Sequence, residues 1–140
     1  MRMNEFQRAA DDFLLACRQA PTKGFSYIGR ADCLKSIGML DEAILALTEA
    51  LQTDLVTIAY LKRGVCYYEQ GNYPLALSDF SAHLQRDSSS SEALYYKAMV
   101  YLKQNNISEA LLNFDETVKL DNNQAFVSKA VEEILKIRIS

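Results

Sequence analysis

The chain's one histidine, His83, would have to carry any acid–base chemistry alone. Its surroundings argue for packing instead: Leu84 follows it, and Phe80 lies one helical turn before it. Three pairs of carboxylates, Asp11–Asp12, Asp115–Glu116 and Glu132–Glu133, are adjacent in sequence. Neighbours on a helix point about 100° apart, so these pairs read as solvated faces rather than catalytic dyads. Cys17, Cys33 and Cys66 show no C-x-x-C spacing, and no Cys–His spacing suits zinc, so no metal site is expected. The five glycines are dispersed and form no phosphate-cradling loop. With no convergent set of reactive groups, the chain is expected to be no enzyme and to need no cofactor.

Two further groups invite a functional reading. Arg30, Arg63 and Lys97 recur at one position and would make a basic ladder for an acidic ligand. The plainer account lays their methylenes along a neighbouring helix and leaves the charge at the surface. Ser88, Ser89, Ser90 and Ser91 would accept phosphate, but a helix N-cap within a short turn explains them as well.

These residues sit in a repeating frame. Tyr60-x-x-Arg63-Gly64-x-x-Tyr67 leads to Ala76-x-x-x-Phe80, and thirty-four residues on, Leu94-x-x-Lys97-Ala98-x-x-Tyr101 leads to Ala110-x-x-x-Phe114. Thirty-three residues upstream of the first, Tyr27-x-x-Arg30-Ala31-x-x-Leu34 leads to Ala43-x-x-x-Leu47. A period of this length, with small residues at fixed offsets between large apolar ones, marks stacked helical hairpins. The small residues let two helices approach, and Leu47, Phe80 and Phe114 fill the space toward the next pair. Helices are predicted over 25–36 and 41–52, 57–70 and 74–86, and 91–104 and 108–120. An amphipathic stripe of Phe6, Ala10, Phe13, Leu14 and Cys17 predicts another over 3–19, and a last helix is predicted over 124–137. Gly38, Gly71 and Asn105 stand where each pair must turn. Asp41, Pro74 and Ser108 open the second helix of each pair, and Asp54, Asp87 and Asp121 close each repeat.

Over residues 24–124 this pattern resembles the tetratricopeptide repeat family. It departs from it in lacking proline at the repeat ends, where Leu55, Ser88 and Asn122 stand, and in placing His83 and Thr117 where a small alanine is usual. The resemblance implies an all-α fold, a right-handed α-α superhelix of three helical hairpins with flanking helices. The expected organisation is one domain over 1–140. It comprises an N-terminal helix (1–22), repeats over 24–56, 57–90 and 91–124, and a C-terminal capping helix (125–140).

In that family the first helices of the hairpins line a concave groove where ligands bind. By position, the resemblance puts Phe25, Ile28 and Asp32 on this wall from the first repeat. The second contributes Ile58, Leu61, Lys62, Val65 and Tyr68, and the third Tyr95, Tyr96, Met99 and Leu102. Such a wall is mostly apolar and aromatic, and soluble proteins rarely leave a large apolar patch without a use. The family's best-known groove chemistry is a clamp of Lys, Asn and Arg for the C-terminal carboxylate of large heat-shock chaperones. The matching positions here hold Ile28, Asp32, Lys62, Glu92 and Tyr96, one cation beside two carboxylates, which argues against chaperone-tail binding. The last helix presents a wide apolar stripe, and Val127, Val131, Ile134 and Leu135 offer a second contact if one edge caps the third repeat and the other stays free.

The bulk properties agree. A net charge of -3 with no basic cluster excludes a nucleic-acid surface, which needs cations to displace counterions. No run reaches the roughly 18 apolar residues of a membrane span. An odd set of cysteines with no framework spacing points to a reducing, cytoplasmic compartment. The expected function is an adaptor or scaffold that binds a peptide or amphipathic helix of a partner within a larger assembly. The alternatives are a small chaperone shielding apolar segments of a client, and a structural homo-oligomeric subunit.

Overall fold

A computed structural model describes residues 24–53 and 57–139, and every regular element among them is a helix. They are α1 (Gly24–Ser36), α2 (Leu40–Thr53), α3 (Thr57–Gln70), α4 (Tyr73–Arg86), α5 (Ser91–Lys103), α6 (Ile107–Leu120) and α7 (Gln124–Ile139). The stripe expected over 3–19 lies outside the described residues, as do Cys17 and Asp54.

The chain leaves α1, α3 and α5 through one and the same turn. Gly38, Gly71 and Asn105 take φ of 85°, 82° and 63°, the left-handed region in which glycine and asparagine are least strained. The N–H of Gly38 donates to the Lys35 carbonyl at 3.0 Å, and that of Met39 to Leu34 at 2.9 Å. Gly71 and Asn72 repeat the pair on Tyr68 and Tyr67 (3.0 and 2.9 Å), and Asn105 and Asn106 on Leu102 and Tyr101 (3.0 and 2.8 Å). This Schellman pattern satisfies carbonyls that a helix end leaves open. Asp121 ends α6 in the same left-handed region.

Two predicted caps move, since α2 begins at Leu40 and holds Asp41 within its first turn, and α6 begins before Ser108. Asn106, not Ser108, caps α6: its side chain accepts from the Glu109 N–H at 3.5 Å. The residue after the left-handed Asn105 is the first to leave the turn, so it occupies the N-cap and Ser108 falls in the first helical turn. Ser90 caps α5 by accepting from the Ala93 N–H at 3.2 Å, which gives one of the four serines its structural role.

Contacts group the chain into two units, Met1–Asn72 and Tyr73–Ser140. In the first, α2 packs against both α1 and α3. Ala31, Leu34, Ala43, Leu47 and Ala59 share one buried cluster, with alanines at the positions where the spacing requires small residues. In the second, α5 packs on α4 and α6, and α7 lies on both α5 and α6. Ala98, Ala110, Phe114 and Ala130 are fully buried there, with Ile134 in the same cluster. Among the described residues, Phe80 and Phe114 are the largest side chains removed entirely from water.

Thr117, standing where the family pattern has an alanine, is also fully buried, and its hydroxyl donates to the Asn113 carbonyl at 2.9 Å. A helical threonine can bond one turn back, which lets a hydroxyl sit in the core without an unmet donor. The start of α5 is tied to the end of α6 by side chains. The Ser91 hydroxyl donates to the Asn122 side-chain carbonyl, and the Asn122 amide donates to the Ser89 carbonyl at 2.7 Å.

Candidate interaction surfaces

The first-helix wall of the Met1–Asn72 unit is less open than the resemblance implies. Ile28, Leu61 and Val65 are only 7%, 3% and 7% exposed, so they are floor rather than anchors. Ile28 belongs to the cluster of α1, α2 and α3. On α3 the buried set is Ala59, Leu61, Gly64, Val65 and Cys66. At about 100° per residue, Leu61 and Val65 fall on the side of the helix roughly opposite Ala59 and Cys66. A helix covered on two sides cannot offer one of them as an open apolar wall. Ile58 stays 38% exposed and Tyr68 is half-buried, while the Phe25 side chain lies outside the described ones.

Charge fills much of what remains there. Lys62 Nζ bonds Asp32 Oδ1 at 3.0 Å, and Lys35 pairs with Glu69 at 3.6 Å, so two ion pairs cross from α1 to α3. Both are substantially exposed, and such pairs contribute little stability. Their effect is on chemistry: the one cation left from the expected clamp set is already neutralised by a carboxylate. The sequence signal for these pairs was available, since opposite charges recur one repeat apart.

The middle member of the basic ladder, Arg63, serves a structural role. Arg63 Nη1 donates to Thr48 Oγ1 at 3.1 Å, and the guanidinium lies 5.9 and 6.0 Å from the Tyr60 and Tyr67 ring centres. Of the thiols, Cys66 is buried and Cys33 half-buried. Burial is the largest effect pushing the Cys66 thiol up to about 11, and Cys33 is raised by burial and then by Asp32.

In the Tyr73–Ser140 unit the wall is built around aromatic rings. Tyr95 is 9% exposed, with its ring 5.9 Å from Phe114, 5.5 Å from Phe126 and 5.4 Å from Tyr96. Tyr96 stacks on Phe80 at 6.0 Å. Tyr95 is therefore a core residue, because Phe126 of α7 lies against it. Tyr96, Met99 and Leu102 remain half-buried beside this core.

The last helix is both things its stripe implied. Ala130 and Ile134 face the core, which removes Ile134 from the free edge. Val131, Leu135 and Ile139 stay 39%, 53% and 83% exposed, and Val127 is half-buried. A groove of ≈ 330 Å³ runs between α6 and α7, with Val118, Val131, Ile134 and Leu135 as its apolar lining.

His83 is 4% exposed, a packed histidine as its neighbours implied, and Asp79 on the same helix is equally buried. Among the described residues no group of His, Cys, Asp or Glu could hold a metal ion. None of the described helices is long and apolar enough to cross a membrane.

Residues 36–117 match the model of the family described as "Anaphase-promoting complex, cyclosome, subunit 3". The human "Tetratricopeptide repeat protein 13" is 30% identical over 90 residues, which are 64% of this chain and 10% of that protein. The chain thus spans about a tenth of the length of this curated relative. Among solved structures, "YrrB: a TPR protein with an unusual peptide-binding site" superposes with a TM-score of 0.80 at 22% identity, over 92% of this chain and 67% of that one. The "First TPR of Spaghetti (RPAP3) bound to HSP90 peptide SRMEEVD" gives 0.73 at 18% identity, over 84% of this chain and 94% of that one. At these identities the structures establish a common fold.

Proposed function

We propose a docking function from the premise that this chain belongs to the family of anaphase-promoting complex, cyclosome, subunit 3, which is of tetratricopeptide-repeat type. The chain holds a peptide or amphipathic helix of another protein and joins it to a larger assembly. The observation that carries this reading is the row Tyr96, Met99 and Leu102 on α5, spaced three apart and left half-open beside a closed aromatic core. On α3, Ile58 is exposed and Tyr68 half-buried, near opposite ends of the helix. Two solved proteins of this fold are described by their peptide sites, which supports the same use of the fold here.

The chemistry selects an apolar segment over an acidic tail. Lys62 is paired with Asp32, so a terminal carboxylate would have to displace an existing partner. Burying a full apolar side chain contributes roughly 1.5–3 kcal/mol, and half-open residues contribute about half of that each. After the cost of association, a few such contacts give binding on the order of micromolar.

The test uses Ile58→Asp and Met99→Asp in the intact chain, with capture of partners from native extract and circular dichroism as a check on folding. Both substitutions fall on partly open positions, so folding is retained and capture is lost. Undiminished capture by both folded variants would remove the first-helix walls from the account. Leu61→Asp is unsuitable, because a carboxylate at a position 3% exposed would unfold the protein.

A further inference from the structure

The groove between α6 and α7 has a counterpart one repeat earlier within the same unit. Thirty-four residues upstream, Leu84 corresponds to Val118, Lys97 to Val131 and Val100 to Ile134. There a third helix contributes to the lining. Val100 is fully buried, and Leu84 and Lys97 line a recess with Glu109, Leu112 and Glu116 of α6. Side chains of α6 thus line the recess that α4 and α5 present, whereas no third described helix contributes to the lining of the α6–α7 groove. A solvated helix face is ordinarily polar, yet the α7 side of this groove presents Val131 and Leu135, 39% and 53% exposed.

The charges point to the occupant. At the earlier position α6 brings two carboxylates, Glu109 and Glu116, to the recess where Lys97 stands. At the open position Lys119 and Arg138 stand on the groove, with Asp115 the one carboxylate among its lining residues. Neither cation takes part in an ion pair among the described residues. We propose that the α6–α7 groove is a second docking site, which takes an acidic amphipathic helix of a partner protein where the preceding recess has α6. This site is separate from the first-helix walls and does not depend on them.

The molecule supplies its own probe. A fluorescent, helix-stapled peptide with the sequence of Ile107–Leu120 is titrated against the full chain by anisotropy, beside a version carrying Glu109→Lys, Asp115→Lys and Glu116→Lys. The acidic peptide binds, its affinity falls as salt rises, and the reversed peptide binds at least tenfold more weakly, roughly the effect of losing two partly screened ion pairs. Leu135→Asp in the full chain lowers affinity about tenfold or more. The double variant Lys119→Glu, Arg138→Glu exchanges the preference between the two peptides. Should Leu135→Asp fail to fold, the charge exchange still decides the matter. The proposal is overturned if neither peptide binds, if both bind equally, or if the double variant leaves the preference unchanged. It is also overturned if sedimentation across dilution shows a dimer that Leu135→Asp dissolves, since the occupant is then a second copy of this chain.

Discussion

Ile134→Ala and Leu135→Ala alter neighbouring residues of α7 and should give opposite results. Ile134 is 8% exposed and shares a cluster with Tyr95, Ala98 and Phe114. Truncating a buried isoleucine to alanine costs about 2–5 kcal/mol, and a site on a terminal helix that can settle inward belongs near the lower end, about 2–3 kcal/mol. Leu135 is 53% exposed, and a substitution that leaves the core untouched costs about 0.5 kcal/mol. With a urea m-value of roughly 2 kcal/mol/M, the two midpoints should differ by about 1 M. Equilibrium urea unfolding followed by far-ultraviolet circular dichroism measures this directly, with equal m-values as the control. If Leu135→Ala costs as much as Ile134→Ala, α7 is turned by about one residue from the orientation that buries Ile134. The open groove on its outer side would then disappear with it.

The remaining predictions concern backbone and thiol. Gly71→Ala should lower stability by about 1–2 kcal/mol, seen as a reduced Tm, because φ of 82° is left-handed and a Cβ there meets nothing within 4 Å, so backbone strain is the whole cost. Asn105→Gly should be neutral or slightly stabilising for the same reason, and a costless Gly71→Ala would contradict the turn geometry. In a Cys17→Ser background, Cys33 should react with a maleimide at neutral pH well before Cys66, whose thiol is pushed from 9.0 to about 11. The folded thiol holds its proton above the value of the unfolded one, so its contribution to stability is intact below pH 9 and is lost as pH rises through about 11. Equal labelling rates for the two thiols would refute the burial of Cys66.

The parts of this molecule that follow from local physics were legible in the sequence. The left-handed turns at Gly38, Gly71 and Asn105, and the buried alanines facing Leu47, Phe80 and Phe114, come from backbone strain and steric approach, which the residue type itself declares. The candidate wall was legible only in part. The resemblance assigns Leu61 and Val65 by position to an open face, whereas α3 buries two sides. Position in the repeat misplaces Tyr95 because its cover, Phe126, lies thirty-one residues away on a helix whose orientation no repeat position specifies. The clasp of Ser91 and Asn122 uses residue types that do not recur, since Thr57 and Ser88 stand one repeat earlier, so periodicity could not reveal it. What the chain's period leaves out is what occurs once.

The shared geometry of the three turns has a consequence for how such a chain can lengthen. A segment cut between Gly71 and Asn72 and between Asn105 and Asn106 carries a complete set of donors and acceptors at both ends, matched to those of its neighbours. Duplicating or excising that module whole leaves no amide at the seams without a carbonyl. Growth by intact modules is therefore far less disruptive than the gain or loss of a single residue, which would rotate every later side chain out of step.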